Sequence, residues 1–400
     1  MHIAYITSEF VTEKYHGGLA TYLNNIAAIM ARNGHKVTII TLSKSSGILQ
    51  YSDNIEVVRV PSANIRGEDR TIEYSLDLLC NSWKLCQALK RENKKHKIDI
   101  VQAANLLAVG LFRCKSIPTI VRISSEASLW RNAWKYKFDY EQALKECKLS
   151  DYLELLSVKH ADAAFAPSNF CASVIQKKLG KRISVIESPY FAKENIMDNS
   201  IYQEKLLNKK YLLFNSSLSR LKGTHIGIEA TDILLKKYPD LSMVYVGYDY
   251  GLAQSNGNIQ KISEVLARQG KKYQGRVLYL KHLSHEQLFP IIKGALACVL
   301  PSRVDNLPNS CIEAMTLEKI VIGTYGASFE QLIKNKDNGL LIKRDSPVAL
   351  IKAVDWLMET DEEELHLMGK RAATIVKRLS PKRVYHEMIC FYERVIRESE

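Results

Sequence analysis

Nowhere along these 400 residues does an apolar run approach the eighteen or so that a membrane-spanning helix needs. The chain also lacks the basic start, apolar centre and small-residue cleavage site of a secretory signal. It opens directly into the alternating, strand-like "HIAYIT", so no such signal is expected. Its eight cysteines include no CxxC pair and keep no histidine-rich spacing, which argues against structural zinc and a disulfide framework. The pattern fits free thiols in a reducing compartment, and the expected location is the cytoplasm. The dinucleotide fingerprint GxGxxG is missing, which argues against a nicotinamide oxidoreductase, and GxxxxGK[ST] is missing too.

What is present is an ordinary globular composition, 46% hydrophobic and 25% charged, on a chain long enough for two domains with a sizeable core each. A formal charge of +13 implies attraction to something anionic: nucleic acid, a phosphorylated substrate or a membrane surface. The excess is shared about evenly between the two halves, so it is not a tail. The densest run, "KRENKKHK" at 90–97, closes a helical segment; it reads as a solvated helix end favoured by the macrodipole or as a contact with anionic lipid.

Both halves repeat one rhythm, a short β-branched run, a helical period and another short run, which predicts parallel sheets with crossover helices. The first-half strands are "IAYIT", "KVTIIT", "IEVVRV", "IDIVQA", "TIVRIS", "AAFAPS" and "ISVIES". Those of the second half are "YLLFNS", "SMVYVG", "RVLYLK", "LACVLPS", "IVIGTY" and "GLLIK". Gly34 should end the first helix, and Ser346 with Pro347 should start the helix "VALIKAVDWLME". Periodicity is weakest over 190–210, which places a linker there. Two domains are expected, 1–195 and 205–380. Ligands on such sheets bind beyond the carboxyl ends of the strands, so the loops after strands carry the functional question.

In "YLLFNSSLSRLKGTHIGIEATDILLKKYP" a polar loop with Arg220, Lys222 and Gly223 precedes an amphipathic helix. Two cations beside a helix N-terminus suit a diphosphate; the plain alternative is a basic loop, although cations there oppose the helix dipole. In "VDNLPNSCIEAM", Pro308 enforces extended geometry on its predecessor, and Asn309 or Ser310 can cap a helix carrying Glu313. "SCIE" is also a capping box, so Glu313 alone divides evenly between cap and ligand contact. Asp305 breaks the tie, because the cap leaves it unexplained: it stands off the helix in the strand-end loop, where it can accept from sugar hydroxyls. "TSEFVTEKYHGGLATYLNNIAAIM" places Gly17 and Gly18 between strand and helix, which permits positive φ and close approach to a ligand, or only a turn.

Taken in order, "HGGLATYL", "HADAAFAPSNFCASVI", "SLSRLKGT", "LACVLPS", "VDNLPNSCIEAM" and "DNGLLI" resemble the large family 4 of retaining, nucleotide-sugar-dependent glycosyltransferases. The resemblance implies α/β architecture of the GT-B type, two Rossmann-like doubly wound parallel-sheet domains facing across a cleft. The first would bind the acceptor, the second the donor, and the last helix, about 381–400, would cross back onto the first domain. It implies that Lys222 and a nearby arginine hold the donor diphosphate, that Glu313 holds the ribose, and that Asp305 faces the donor hexose. Main-chain amides around Leu307, Asn309 and Ser310 would meet sugar or phosphate, with Pro308 beside them in the donor site, and Gly17 and Gly18 would approach the diphosphate. Transfer would proceed with retention and without metal or any cofactor beyond the nucleotide sugar.

This chain departs from the family pattern in two places. Ser216 and Ser217 stand where members carry Gly-Arg, so Arg220 would have to substitute. Ser124 stands where many carry a histidine, with Arg122 two residues before. Arg122, Ser124, Asn105 and Trp130 are the candidate acceptor or sugar contacts. The stretch "SSEASLWRNAWKYKFDYEQALKE" interleaves aromatic and cationic residues and suits a sugar face with a phosphate, a membrane surface, or a half-buried helix. The implied partners are a nucleotide-sugar donor, a glycan or lipid-linked acceptor and an anionic membrane surface reached from its cytoplasmic side, with no nucleic acid. A non-catalytic sugar-nucleotide-binding subunit and a sugar-nucleotide epimerase on the same fold are the rivals.

Overall fold

The computed structural model describes residues 1–14, 17–63, 70–191 and 197–400. The chain divides into two compact units. Unit 1 comprises Met1–Ser128, Leu144–Phe191 and Leu379–Glu400; unit 2 comprises Leu129–Ala143 and Ala192–Arg378.

Unit 1 is built on an eight-stranded sheet of β1 (His2–Thr7), β2 (Lys36–Ser43), β3 (Gly47–Ser52), β4 (Ile55–Pro61), β5 (Ile100–Ala104), β6 (Thr119–Arg122), β7 (Ala163–Ala166) and β8 (Ser184–Val185). Their spatial order is β3-β4-β2-β1-β5-β6-β7-β8, parallel throughout except for β3, which runs antiparallel to β4 at the edge. All six residues of β1 are buried, as a strand covered on both faces requires. The order reverses between β1 and β5.

The closing helix Pro381–Ser399 belongs to unit 1, where Val384, Met388, Phe391 and Tyr392 pack in one core with Ile3, Tyr5 and Ile26. The hydroxyl of Tyr392 donates to Gln102 Oε1 at 2.6 Å and meets that of Tyr5 at 3.3 Å, so the polar tips buried by this packing are satisfied by one another. The basic run at 90–97 forms the exposed end of the helix Arg70–Lys95.

Unit 2 carries a six-stranded, wholly parallel sheet of β9 (Lys210–Asn215), β10 (Leu241–Val246), β13 (Val277–Tyr279), β14 (Ala297–Val299), β15 (Val321–Thr324) and β16 (Leu340–Ile342), with a small hairpin of β11 (Leu252–Ala253) and β12 (Ile259–Gln260) beside it. The order is β13-β10-β9-β14-β15-β16, so the chain winds outward from β9, returns, and reverses between β9 and β14. Ser346 Oγ accepts from the Ala349 amide at 3.1 Å and Pro347 occupies the first turn; Gly34 ends the first helix at φ +80.

Two stretches differ from the sequence expectation. Within the expected linker at 190–210, the helix Ser200–Lys205 packs on unit 2, with Tyr202 against Gly294; residues 192–196 of that stretch lie outside the described residues. Residues 129–143, which the sequence reading keeps with the first 195, group with unit 2, where Arg303 donates to the carbonyls of Ala133, Lys135 and Tyr136.

Candidate active site

In unit 2 the loops that follow β9 and β14 flank the point where the strand order reverses, and they are knitted together. The Arg303 amide donates to the Leu221 carbonyl at 2.8 Å. Gly223 sits at φ +71 with its missing Cβ position 1.9 Å from the Pro301 carbonyl oxygen, a place that admits only glycine. Gly247, after β10, holds the other side of the loop: at φ +144 its Cβ position lies 2.0 Å from the Ser216 oxygen. The half-exposed Ser216 and Ser217 therefore occupy a backbone path set from both sides.

This knitting brings Lys222 and Asp305 together. Lys222 Nζ lies 2.6 Å from Asp305 Oδ2, which also accepts from Ser302 Oγ at 3.2 Å, while Oδ1 accepts from the Asn306 amide at 3.0 Å. Both helices that start at these loops begin without a side-chain cap: Thr224–Lys237 behind Gly223, and Asn309–Thr316 behind Pro308. The capping expectation is thus corrected. Pro308, at φ −73 and ψ 111, is itself the N-cap, which moves the helix start one residue ahead of Ser310 and leaves neither Asn309 nor Ser310 in capping position. Glu313 does not reach back either; its Oε1 meets His285 Nε2 at 3.2 Å. Leu307 and Pro308 are buried, and Asn309 and Ser310 face outward with the early amides of the helix.

Arg220 is nearly buried and engaged: its Nε donates to the Ala253 carbonyl at 2.5 Å, and its guanidinium lies 4.6 Å from the centre of the Tyr136 ring. Burial, then the neighbouring Arg303 charge, lowers its pKa. Arg303 was not singled out by the sequence reading, and it organises this side of the unit. Its Nε lies 2.8 Å from Asp345 Oδ1; Nη1 donates to the carbonyls of Ala133 (3.1 Å) and Lys135 (2.6 Å), and Nη2 to that of Tyr136 (3.2 Å). Asp345 also meets His225 Nε2 at 3.1 Å. Burial drives the His225 pKa down; Asp345 is pushed up by burial, but the bonds from His225 and Arg303 prevail and hold it below the usual carboxylate range.

In unit 1, Gly17 and Gly18 lie at the start of the helix Gly18–Arg32, and neither adopts positive φ. The Glu9 carboxylate accepts from the Gly17 amide at 3.0 Å and the Ala20 amide at 3.1 Å, and none of the described residues lies within 4 Å of where a Gly18 Cβ would stand. Tyr15 and His16 of the same stretch lie outside the described residues. Asn105 is buried and fully committed: Oδ1 accepts from the Ser124 amide at 2.7 Å and Nδ2 donates to the Ser125 carbonyl at 2.9 Å, so it positions the loop after β6. Ser124 Oγ accepts from Arg122 Nη1 at 2.8 Å. Trp130 is half-buried on the helix Ala127–Ala133 and groups with unit 2, apart from these three.

Among the described residues no cluster of three or more His, Cys, Asp or Glu is placed to hold a metal ion, and no helix is long and apolar enough to cross a membrane. All eight cysteines are free thiols.

Residues 16–189 match the family described as Glycosyltransferase Family 4, and residues 198–374 match Glycosyl transferases group 1. The chain belongs to the family 4 type of glycosyltransferases. A glycosyltransferase of Haemophilus influenzae is 22% identical over 355 residues, spanning 88% of this chain and 90% of that protein. Among solved structures, sucrose-phosphate synthase of Thermosynechococcus elongatus superimposes with a TM-score of 0.75 at 18% identity, covering 99% of each chain. HepE of Anabaena, solved in complex with UDP-glucose, gives 0.69 at 16% identity, covering 98% of this chain and 100% of that one. These likenesses establish the GT-B fold.

Within this glycosyltransferase, the residues the sequence reading missed share one signal. Arg303 and Asp345 stand a few residues past the carboxyl ends of β14 and β16, and His225 lies in the first turn of the helix that follows β9, all at the end where ligands meet open α/β sheets. No short motif groups them, since they come from two separate loops and the start of a helix.

Proposed function

We propose that this glycosyltransferase moves a sugar, with retention of anomeric configuration and without metal, from a nucleoside-diphosphate donor to a hydroxyl of a glycan or lipid-linked acceptor, in polysaccharide or glycoconjugate biosynthesis. The observation that carries this reading is the 2.6 Å contact of Lys222 with Asp305, made where the unit 2 strand order reverses and beside two helix starts without side-chain caps. Donor binding is proposed to move the Lys222 ammonium from Asp305 to the diphosphate, freeing the Asp305 carboxylate to accept from hexose hydroxyls. Asn309 and Ser310 amides suit phosphate oxygens, and Glu313 suits the ribose. Arg220, held by Ala253 and Tyr136, contributes field more than a direct bond, so Lys222 carries most of the charge stabilisation of the departing diphosphate. The UDP-glucose complex of HepE supports a nucleotide-sugar donor. The acceptor is proposed to bind unit 1, around Arg122 and Ser124, with attachment at the cytoplasmic face of a membrane.

Calorimetric titration with UDP, GDP and ADP, followed by a hydrolysis assay on sugar forms of whichever binds, tests this reading. Binding with turnover is the expected result; no binding by any of the three removes the donor site. A second reading, a nucleotide-sugar-binding subunit without the reaction, is favoured by Ser217 and Ser124, the two departures from the arginine and histidine of the family pattern. Binding without turnover would select it.

A further inference from the structure

Arg122, the last residue of β6, is 5% exposed, yet among the described residues no carboxylate pairs with it. Its guanidinium is held by neutral groups alone. The Tyr22 ring centre lies 3.7 Å from Cζ, Ser124 Oγ accepts from Nη1 at 2.8 Å, Ser188 Oγ accepts from Nη2 at 3.2 Å, and Nε has no partner among the described residues. An arginine cannot shed this cost by deprotonating, so an interior cation of this kind lacks its natural complement.

Its position is not an arbitrary piece of core. Arg122 lines a small cavity with Thr7 of β1, Gln102 and Ala104 of β5, and Leu19 and Tyr22 of the first helix. Those strand ends stand on either side of the point where the unit 1 strand order reverses, the place where open parallel sheets take ligands. Ser124 and Ser188 are only half-buried, so the terminal nitrogens stand one hydroxyl away from solvent. The Ser188 hydroxyl that accepts from Arg122 keeps a hydrogen it can donate outward, and a phosphate oxygen is the acceptor that satisfies both layers.

We propose that Arg122, with Tyr22 and Ser188, forms an anion site in unit 1 that recognises a phosphate ester carried by the acceptor, which makes the acceptor a phosphorylated sugar or a sugar-bearing phospholipid. The inference rests on the reading of unit 1 as the acceptor-binding half.

The test uses the full chain saturated with whichever of UDP, GDP or ADP binds it. If none binds, the donor reading fails by itself, and the same titrations proceed on Lys222→Ala, which removes the more exposed cation of the unit 2 loop. Glucose 1-phosphate and glucose are titrated by calorimetry, and flotation is measured with phosphatidylcholine vesicles with and without phosphatidate. The expected result is a preference of at least about tenfold for the phosphorylated probe over its neutral counterpart, abolished in Arg122→Gln and reduced in Ser188→Ala. Preference for glucose 1-phosphate points to a soluble phosphate, and preference for phosphatidate vesicles alone to a lipid-borne one. Equal binding of charged and neutral probes by the wild type overturns the proposal, as does a preference that survives intact in Arg122→Gln. Should that variant fail to fold, the wild-type comparison and Ser188→Ala carry the test.

Discussion

Lys222 and Asp305 separate two effects that are easily confused in a charged pair. Both side chains are partly exposed, at 25% and 12%, so their mutual attraction contributes modestly to stability, on the order of 1 kcal/mol or less. The same ammonium facing a leaving diphosphate would act on the transition state. Lys222→Ala is therefore expected to lower turnover by about 10² to 10³-fold while leaving the melting temperature within a few degrees of wild type, measured by donor hydrolysis and by calorimetry. Near-normal turnover would remove Lys222 from the chemistry. Gly223 makes the opposite prediction. A Cβ at this positive-φ residue meets the Pro301 carbonyl, so Gly223→Ala is expected to destabilise the protein by roughly 2 kcal/mol or more, read as a shift in the urea midpoint. An unchanged midpoint would mean the two loops are not pinned at this point.

At the scale of elements, the strands were legible because parallel strands buried on both faces leave long β-branched runs, and all thirteen runs read from the sequence coincide with strands. The strands that went unread were the exposed antiparallel edge strand β3 and the two-residue strands of the hairpin β11–β12, which bury too little to mark the sequence. Lys222 with Asp305 was legible as two loops after two strands, but the helix start at Asn309 was not, because a capping box and an uncapped turn behind proline share the same letters. The segment 129–143 was the least legible. Its aromatic and cationic mixture fits several surfaces, and its placement depends on one distant arginine that gathers three of its carbonyls. Arg303→Met removes the donor to these three carbonyls and the partner of a part-exposed Asp345, a loss expected to cost about 1–3 kcal/mol. Trypsin should then cut after Lys135 or Lys137 markedly faster than in wild type; equal cleavage rates would show that the ring contacts with Arg220 and Arg344 hold the segment unaided.

At the scale of the whole molecule, the two units share one response to acid. His225 in unit 2 and His2 in unit 1 both have pKa values lowered mainly by burial, and His35 beside the first residue is lowered the same way, then further by the N-terminal charge. In the unfolded chain these side chains regain the ordinary value near 6.5 and bind protons that the native state refuses. Between that value and the lower native ones, the unfolded state holds more protons, so stability falls as pH falls, with a limiting slope of about 1.4 kcal/mol per pH unit for each fully shifted histidine. The carboxylates held below their usual range, Asp345 among them, act in the same direction but only in a more acidic window, beneath their ordinary value of 3.8. Stability measured by urea unfolding is therefore expected to be level from pH 8 to 7 and to decline from about 6.5 towards 5. His225 is the most buried of the three, so His225→Asn should remove the largest single share of that decline. A profile equally steep in His225→Asn and wild type would show that Asp345 keeps His225 protonated in the folded protein, and that the pairing with the carboxylate outweighs burial.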